Sequence, residues 1–137
     1  MSYKNDFKNC LDGLFESLCD VSDWMYENPE LGFQEFKTSK YLVDYIQKNS
    51  KSVNYPSHGL ETAFDITFGE EGPLTVICVE YDALPEIGHA CGHNIIATAS
   101  IGAGLSLKDI ASKLGIRVKL LGTPAEEGGG GKIILIN

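Results

Sequence analysis

Two short segments of this 137-residue chain carry side chains that do chemistry. The first, Gly88-His89-Ala90-Cys91-Gly92-His93-Asn94, sets a thiol and an imidazole two residues apart. The second, Gly122-Thr123-Pro124-Ala125-Glu126-Glu127-Gly128, holds adjacent carboxylates in a loop framed by proline and glycine. Thiolate, imidazole and carboxylate are the donors that bind zinc-like ions, and a carboxylate left free is what a metal-activated water needs as a base. A thiolate beside a neutral imidazole suits zinc, and manganese less well. In extended backbone Cys91 and His93 face the same way. Glu126 and Glu127 point in different directions, so one can ligate while the other takes a proton. Each motif alone is a weak signal, because a single Cys-x-His pair lacks the four spaced ligands of a structural zinc site. The glycines at 128–131 do not make a phosphate loop, since Ile133 follows Lys132 where a Ser or Thr is needed.

The elements that must position these motifs can be read from periodicity. Phe7, Leu11, Leu14, Phe15, Leu18, Val21 and Met25 keep helical spacing, with Asp6 as the expected N-cap and Asn28-Pro29 as the stop. A second helix is expected over 35–49, with Tyr41, Leu42, Tyr45 and Ile46 as its apolar face. Residues 62–68 read as a strand. Residues 74–79 form a β-branched apolar run that suits a strand buried on both faces. Residues 95–114 read as a helix rich in Ala and Gly, able to lie close to a sheet, with Gly115 as its stop. Residues 116–121 alternate as a strand nearer an edge, and 132–136 look like the first turns of another helix. Strand, helix and strand in that order make a right-handed βαβ unit with parallel strands. Both motifs then follow the carboxyl ends of their strands, where sites lie in open α/β sheets. Topology alone therefore brings the Cys/His group and the Glu pair to one rim.

The bulk numbers bound the rest. One domain of ordinary size fits, with 43% hydrophobic and 22% charged residues. A net charge of −8 argues against nucleic acid or an anionic membrane as partner. No apolar stretch approaches a membrane span, and residues 1–6 show no secretory h-region. Cys10, Cys19, Cys78 and Cys91 are irregularly spaced. They read as reduced thiols of a cytoplasmic protein, the first three as small core hydrophobes.

At its motifs the sequence resembles the M20 metallopeptidase family, in its amidohydrolase branch. The residues that carry the resemblance are Glu80-Tyr81-Asp82-Ala83-Leu84-Pro85, the Gly88 to Asn94 segment and Gly122-Thr123-Pro124-Ala125-Glu126-Glu127. Asn28-Pro29-Glu30-Leu31-Gly32 followed by Glu35, and Gly59-Leu60 followed by Thr62-Ala63-Phe64, fit the same branch. The variants look most like aminobenzoyl-glutamate hydrolases and M20 domain-containing dipeptidases. The resemblance implies an α/β, three-layer zinc-exopeptidase-like catalytic domain with helices packed on a mostly parallel sheet. It implies two Zn2+ or Mn2+ ions in the complete enzyme, N-acyl amino acids or dipeptides as substrates, and a homodimer. By position Cys91, His93 and Glu127 are then metal ligands, Glu126 is the general base, and Asp82 orients a ligand from behind. His89 is a hydrogen-bonded neighbour, His58 is solvated, and Glu80 stands where more distant branches place a metal-binding histidine. Asn94 departs from the Asp of many relatives. On this reading residues 1–137 are the N-terminal part of the catalytic domain, without the dimerisation domain and the C-terminal half. The expected consequence is a weakly active or inactive chain lacking two further histidine ligands. The alternative is a non-catalytic binding module or relic that pairs with a full-length subunit.

Overall fold

The computed structural model describes residues 2–136. Helix α1 spans Tyr3–Glu27 and α2 spans Phe36–Asn49. Strands β1 (Phe64–Phe68) and β2 (Leu74–Val79) follow. A short 3-10 turn, His89–Cys91, leads into α3 (His93–Leu107), and a second, Ser112–Leu114, precedes β3 (Arg117–Gly122). Helix α4 covers Gly131–Ile136. No helix among the described residues is long and apolar enough to cross a membrane.

Helix α1 begins earlier than expected. Ser2 takes the N-cap position and Asp6 lies in the first turn, because nothing in Tyr3-Lys4-Asn5 breaks a helix. Its C-terminus falls at Asn28, whose amide N–H closes on the carbonyls of Trp24 and Met25. Leu18, Val21 and Met25 are its buried stripe. In α2 the buried apolar side chains are Leu42, Val43 and Ile46. Tyr41 instead stacks on Trp24 at 4.1 Å, and the Tyr45 hydroxyl meets Ser17 Oγ at 2.7 Å, so the half-buried tyrosines tie α2 to α1. The Glu30 carboxylate caps α2 by accepting from the amides of Lys37 (3.2 Å) and Thr38 (2.7 Å).

The sheet has the order β1-β3-β2. Strand β3 pairs antiparallel with β1, Phe64 opposite Gly122, and parallel with β2, Val79 opposite Gly122. The parallel β2–α3–β3 unit is therefore present. The expected places of the two strands are exchanged: β3 is central and β2 has one strand partner among the described residues. Val118, Leu120 and Gly122 are buried, whereas Leu74, Val76 and Cys78 are exposed. A β-branched run tolerates burial on both faces, but it does not determine what covers it. Cys78 and Cys19 are likewise exposed rather than core, Cys10 is half-buried, and all four thiols are free. Ile133, Ile134 and Ile136 of α4 are also exposed.

The small residues of α3 have the expected consequence. Gly104 lies so close to the sheet that a Cβ there would meet Leu120 Cδ2 at 2.5 Å. On another side, α3 packs against α1, where Asn94 Nδ2 donates to Ser22 Oγ at 3.0 Å. Asn94 thus points its amide at α1, a use for which a neutral donor is suited. Gly104→Val should lower the unfolding free energy by roughly 1–3 kcal/mol through overpacking. Gly13→Ala, on the exposed side of α1 with open space around it, should raise it by about 0.5–1 kcal/mol. Urea midpoints at constant slope measure both. An unchanged midpoint for Gly104→Val would show that α3 does not bear on Leu120.

Candidate metal centre

Both motifs emerge from the carboxyl ends of the parallel strands. Glu80 and Asp82 follow β2, and Glu126 and Glu127 follow β3. Thr123 binds the loops to the sheet: its amide and its hydroxyl both donate to the Val79 carbonyl, at 2.9 and 3.1 Å.

Asp82, only 1% exposed, joins the two motifs. Its carbonyl oxygen accepts from His93 Nδ1 at 2.7 Å. Its carboxylate Oδ2 accepts from the Glu127 amide at 2.9 Å. Oδ1 lies 3.1 Å from the same His93 nitrogen but has no hydrogen bond among the described residues, the proton being directed at the nearer carbonyl. Since a carbonyl can only accept, His93 carries a proton on Nδ1, and Nε2 faces the rim. There Nε2 meets Glu80 at 3.5 Å, Glu126 at 3.7 Å and Glu127 at 3.9 Å.

Two sets of donors are close enough to share a cation. Ligand atoms of Cys91, His93 and Glu127 lie within 4.8 Å of one another, as do those of Glu80, His93 and Glu126. His93 is 3% exposed and belongs to both sets. The backbone that presents Cys91 and His93 is not extended as expected. It is a 3-10 turn ending at Gly92 in the left-handed region (φ 82°), with His93 as the first residue of α3. The turn still gathers the thiol and the imidazole, because glycine takes that conformation without strain. Burial pushes the Cys91 thiol up, and the Glu127 and Asp82 charges add to this, against amide hydrogen bonds from His93 and Cys91 that lower it.

Lys132 of α4 is the cation of this rim. It pairs with Glu80 and lies 3.8 Å from Glu126. Burial works against its charge, but the hydrogen bond and charge of Glu80, with Glu126, outweigh that and hold the ammonium up. Residue type does not single Lys132 out in the sequence, although its position after four glycines is a signal.

Three other expectations need correction or completion. His89 is buried, and neither ring nitrogen has a hydrogen-bond partner among the described residues. Burial, with His93 nearby, lowers its pKa despite the charge of Asp82. The turn geometry that places Cys91 turns this side chain inward without providing a partner. His58 is not simply solvated, since its Nε2 lies 3.1 Å from Asp65. Glu35, in the sequence no more than one position of a motif, is fully buried.

No protein-family model matches the chain. A mouse Xaa-Arg dipeptidase is 36% identical over 140 residues, covering 92% of this chain and 32% of that protein. One subunit of the p-aminobenzoyl-glutamate hydrolase of Escherichia coli strain K12 is 29% identical, covering 85% of this chain and 28% of its own length. A dinuclear metal-binding M20 peptidase from Bacillus subtilis superposes with a TM-score of 0.78 at 25% identity, over 91% of this chain and 39% of that one. The chain thus spans about a third of the length of the curated relatives it matches. Over the part that they share, sequence and fold together place this chain in the M20 family of metallopeptidases and amidohydrolases.

Proposed function

We propose that the chain carries part of a divalent-metal centre for hydrolysis of amide bonds in N-acyl amino acids or dipeptides. The observation that carries this reading is the His93 Nε2, aimed at three carboxylates from two loops, with the Cys91 thiol alongside. An imidazole nitrogen that faces three anions is stable with a cation among them, and this donor set fits one. Cys91, His93 and Glu127 are the proposed ligands, and zinc is the ion that thiolate and imidazole favour. The Bacillus subtilis relative binds two metals. Here the Glu80, His93 and Glu126 set shares the one free nitrogen of His93 with the first set, so it is an alternative seat for one ion and not a second site.

A divalent ion at this place supplies Lewis acidity toward water and toward the amide carbonyl. The protein's part is to orient and to move a proton. Asp82 fixes the His93 tautomer through its carbonyl and fixes the Glu127 backbone through its carboxylate. Glu126, next along the loop and about one-third exposed, is placed to take a proton from water and return it to the leaving amine. The two neighbouring carboxylates divide the work: one holds the ion, the other holds the proton.

Metal content after dialysis against Zn2+ should be near stoichiometric for the chain and should fall in Cys91→Ala and Glu127→Ala. Retention in both folded variants would sink the ligand assignment. Glu126→Gln should keep the ion, and in a protein that hydrolyses a dipeptide it should lose about a hundredfold or more in kcat. A raised thiol pKa also sets a direction with pH. Below that pKa the thiol is protonated, so binding must expel a proton, and apparent affinity rises about tenfold per pH unit until the thiol ionises by itself. Competition with a chelator from about pH 6 to 9, beside Cys91→Ser, reads that slope; a flat profile would remove Cys91 from the ligand set.

A further inference from the structure

Glu35 is the other buried carboxylate beside this centre. It is 0% exposed, at the N-cap position of α2. A buried carboxylate is costly to keep unless its oxygens are fully used. Glu35 does not use them to cap its own helix, since its side chain makes no cap hydrogen bond and Glu30 does that work. Instead it reaches 90 residues along the chain. Its Oε1 accepts from the Ala125 amide at 2.8 Å, and its Oε2 accepts from the Thr62 hydroxyl at 3.1 Å. Burial raises its pKa, against the amides of Glu35, Ala125 and Phe33 and the Thr62 hydroxyl, all of which favour the charged form.

The amide it holds is a special one. Ala125 lies immediately before Glu126 and has φ 53°, a left-handed conformation that an alanine adopts only when its surroundings impose it. Gly32, three residues before Glu35, presses on the same residue: a Cβ at Gly32 would lie 2.9 Å from Ala125 Cβ. On the far side of the pair, the Glu127 amide is held by Asp82. The backbone of Glu126 and Glu127 is therefore suspended between two buried carboxylates, one from each side.

We propose that Glu35 is a positioning residue for the Glu126-Glu127 pair, acting through the Ala125 amide; its effect on metal rests on the metal centre proposed for Cys91, His93 and Glu127. The role needs an acceptor, not a charge. Glu35→Gln keeps an acceptor for Ala125, and its amide can donate to Thr62 Oγ1, which accepts as readily as it donates. Glu35→Met fills similar volume without an acceptor, and Glu35→Asp is shorter by one methylene and serves if the Met variant does not fold.

The test uses the whole chain and two readouts, amide hydrogen exchange at Ala125 and binding of Co2+ alone, followed by its thiolate charge-transfer absorption. Glu35→Met or Glu35→Asp should speed exchange at Ala125 and weaken Co2+ binding by about tenfold to a hundredfold, with an altered spectrum. Glu35→Gln should stay within about threefold of the parent in both. A folded Met or Asp variant with parental exchange at Ala125 and parental Co2+ binding would overturn the proposal. If the parent takes up no Co2+, the metal-centre reading fails, and exchange at Ala125 alone then decides: faster exchange supports the positioning role and unchanged exchange overturns it.

Discussion

The parallel pairing of β2 with β3 is the constraint on which the site depends. Val79 lies opposite Gly122, so the two strands end level and their loops leave the sheet side by side. Four carboxylates then lie within a few residues of that end, Glu80 and Asp82 on one loop and Glu126 and Glu127 on the other, while Cys91 and His93 return to it at the start of α3. A slip of one residue would turn Val118, Leu120 and Gly122 away from the core. The contact of Gly104 with Leu120 helps to forbid it, because only one register sets that leucine under the glycine. Helix packing and loop geometry are thus one problem: what fixes α3 on the sheet also fixes which carboxylates meet His93.

Much of this is legible in the sequence, and the reasons are particular. The extent of β2 can be read at both ends because a β-branched run bounded by Gly72-Pro73 on one side has little ambiguity. The convergence of the two motifs follows from strand-helix-strand order and needs no knowledge of side-chain contacts. The relative places of β2 and β3 are not legible. Alternation in Arg117 to Leu121 suggests an edge, but Val118 and Leu120 pack inward while Arg117 and Lys119 remain half-buried on a central strand. Periodicity reports which face is apolar; it is silent on how many neighbours a strand has.

Within the site, the ligand candidates are legible, and so by resemblance is Asp82 behind them, but the other supports are not. Cys91, His93, Glu126 and Glu127 announce themselves by residue type. Glu30, Glu35 and Lys132 are ordinary charged residues in a sequence, each with a solvated surface as the default expectation. Glu35 and Lys132 take their roles from long-range contacts, with Ala125 and Glu80, and Glu30 takes its role from the turn that brings it back to the start of α2. Nor do the phenylalanines beside Glu35 reveal its burial, since Phe33 and Phe36 are themselves exposed.

The acids near this rim fall into two kinds, and burial with hydrogen bonding sorts them. Asp82 and Glu35 are almost wholly buried, and each gives an oxygen to a backbone amide of the Glu pair or its neighbour. Turning either toward an ion would orphan a buried N–H at a cost of about 1–3 kcal/mol, and the oxygen that Asp82 leaves without a hydrogen bond, Oδ1, faces His93 Nδ1 at 3.1 Å. Glu126 and Glu127 are about one-third exposed and Glu80 less so, and these keep lone pairs facing His93. At roughly 4 Å, two unit charges near a protein surface interact by about 4 kcal/mol, so grouping such anions without a cation is costly. Lys132 offsets part of that repulsion from Glu80 and Glu126. Among the described residues its ion pairs are with those two and not with Glu127, which lies within 4.8 Å of the Cys91 and His93 donors. Around this rim the fold therefore uses its buried carboxylates to hold backbone and leaves its half-exposed ones under-neutralised, which is the electrostatic ground of the metal-centre proposal.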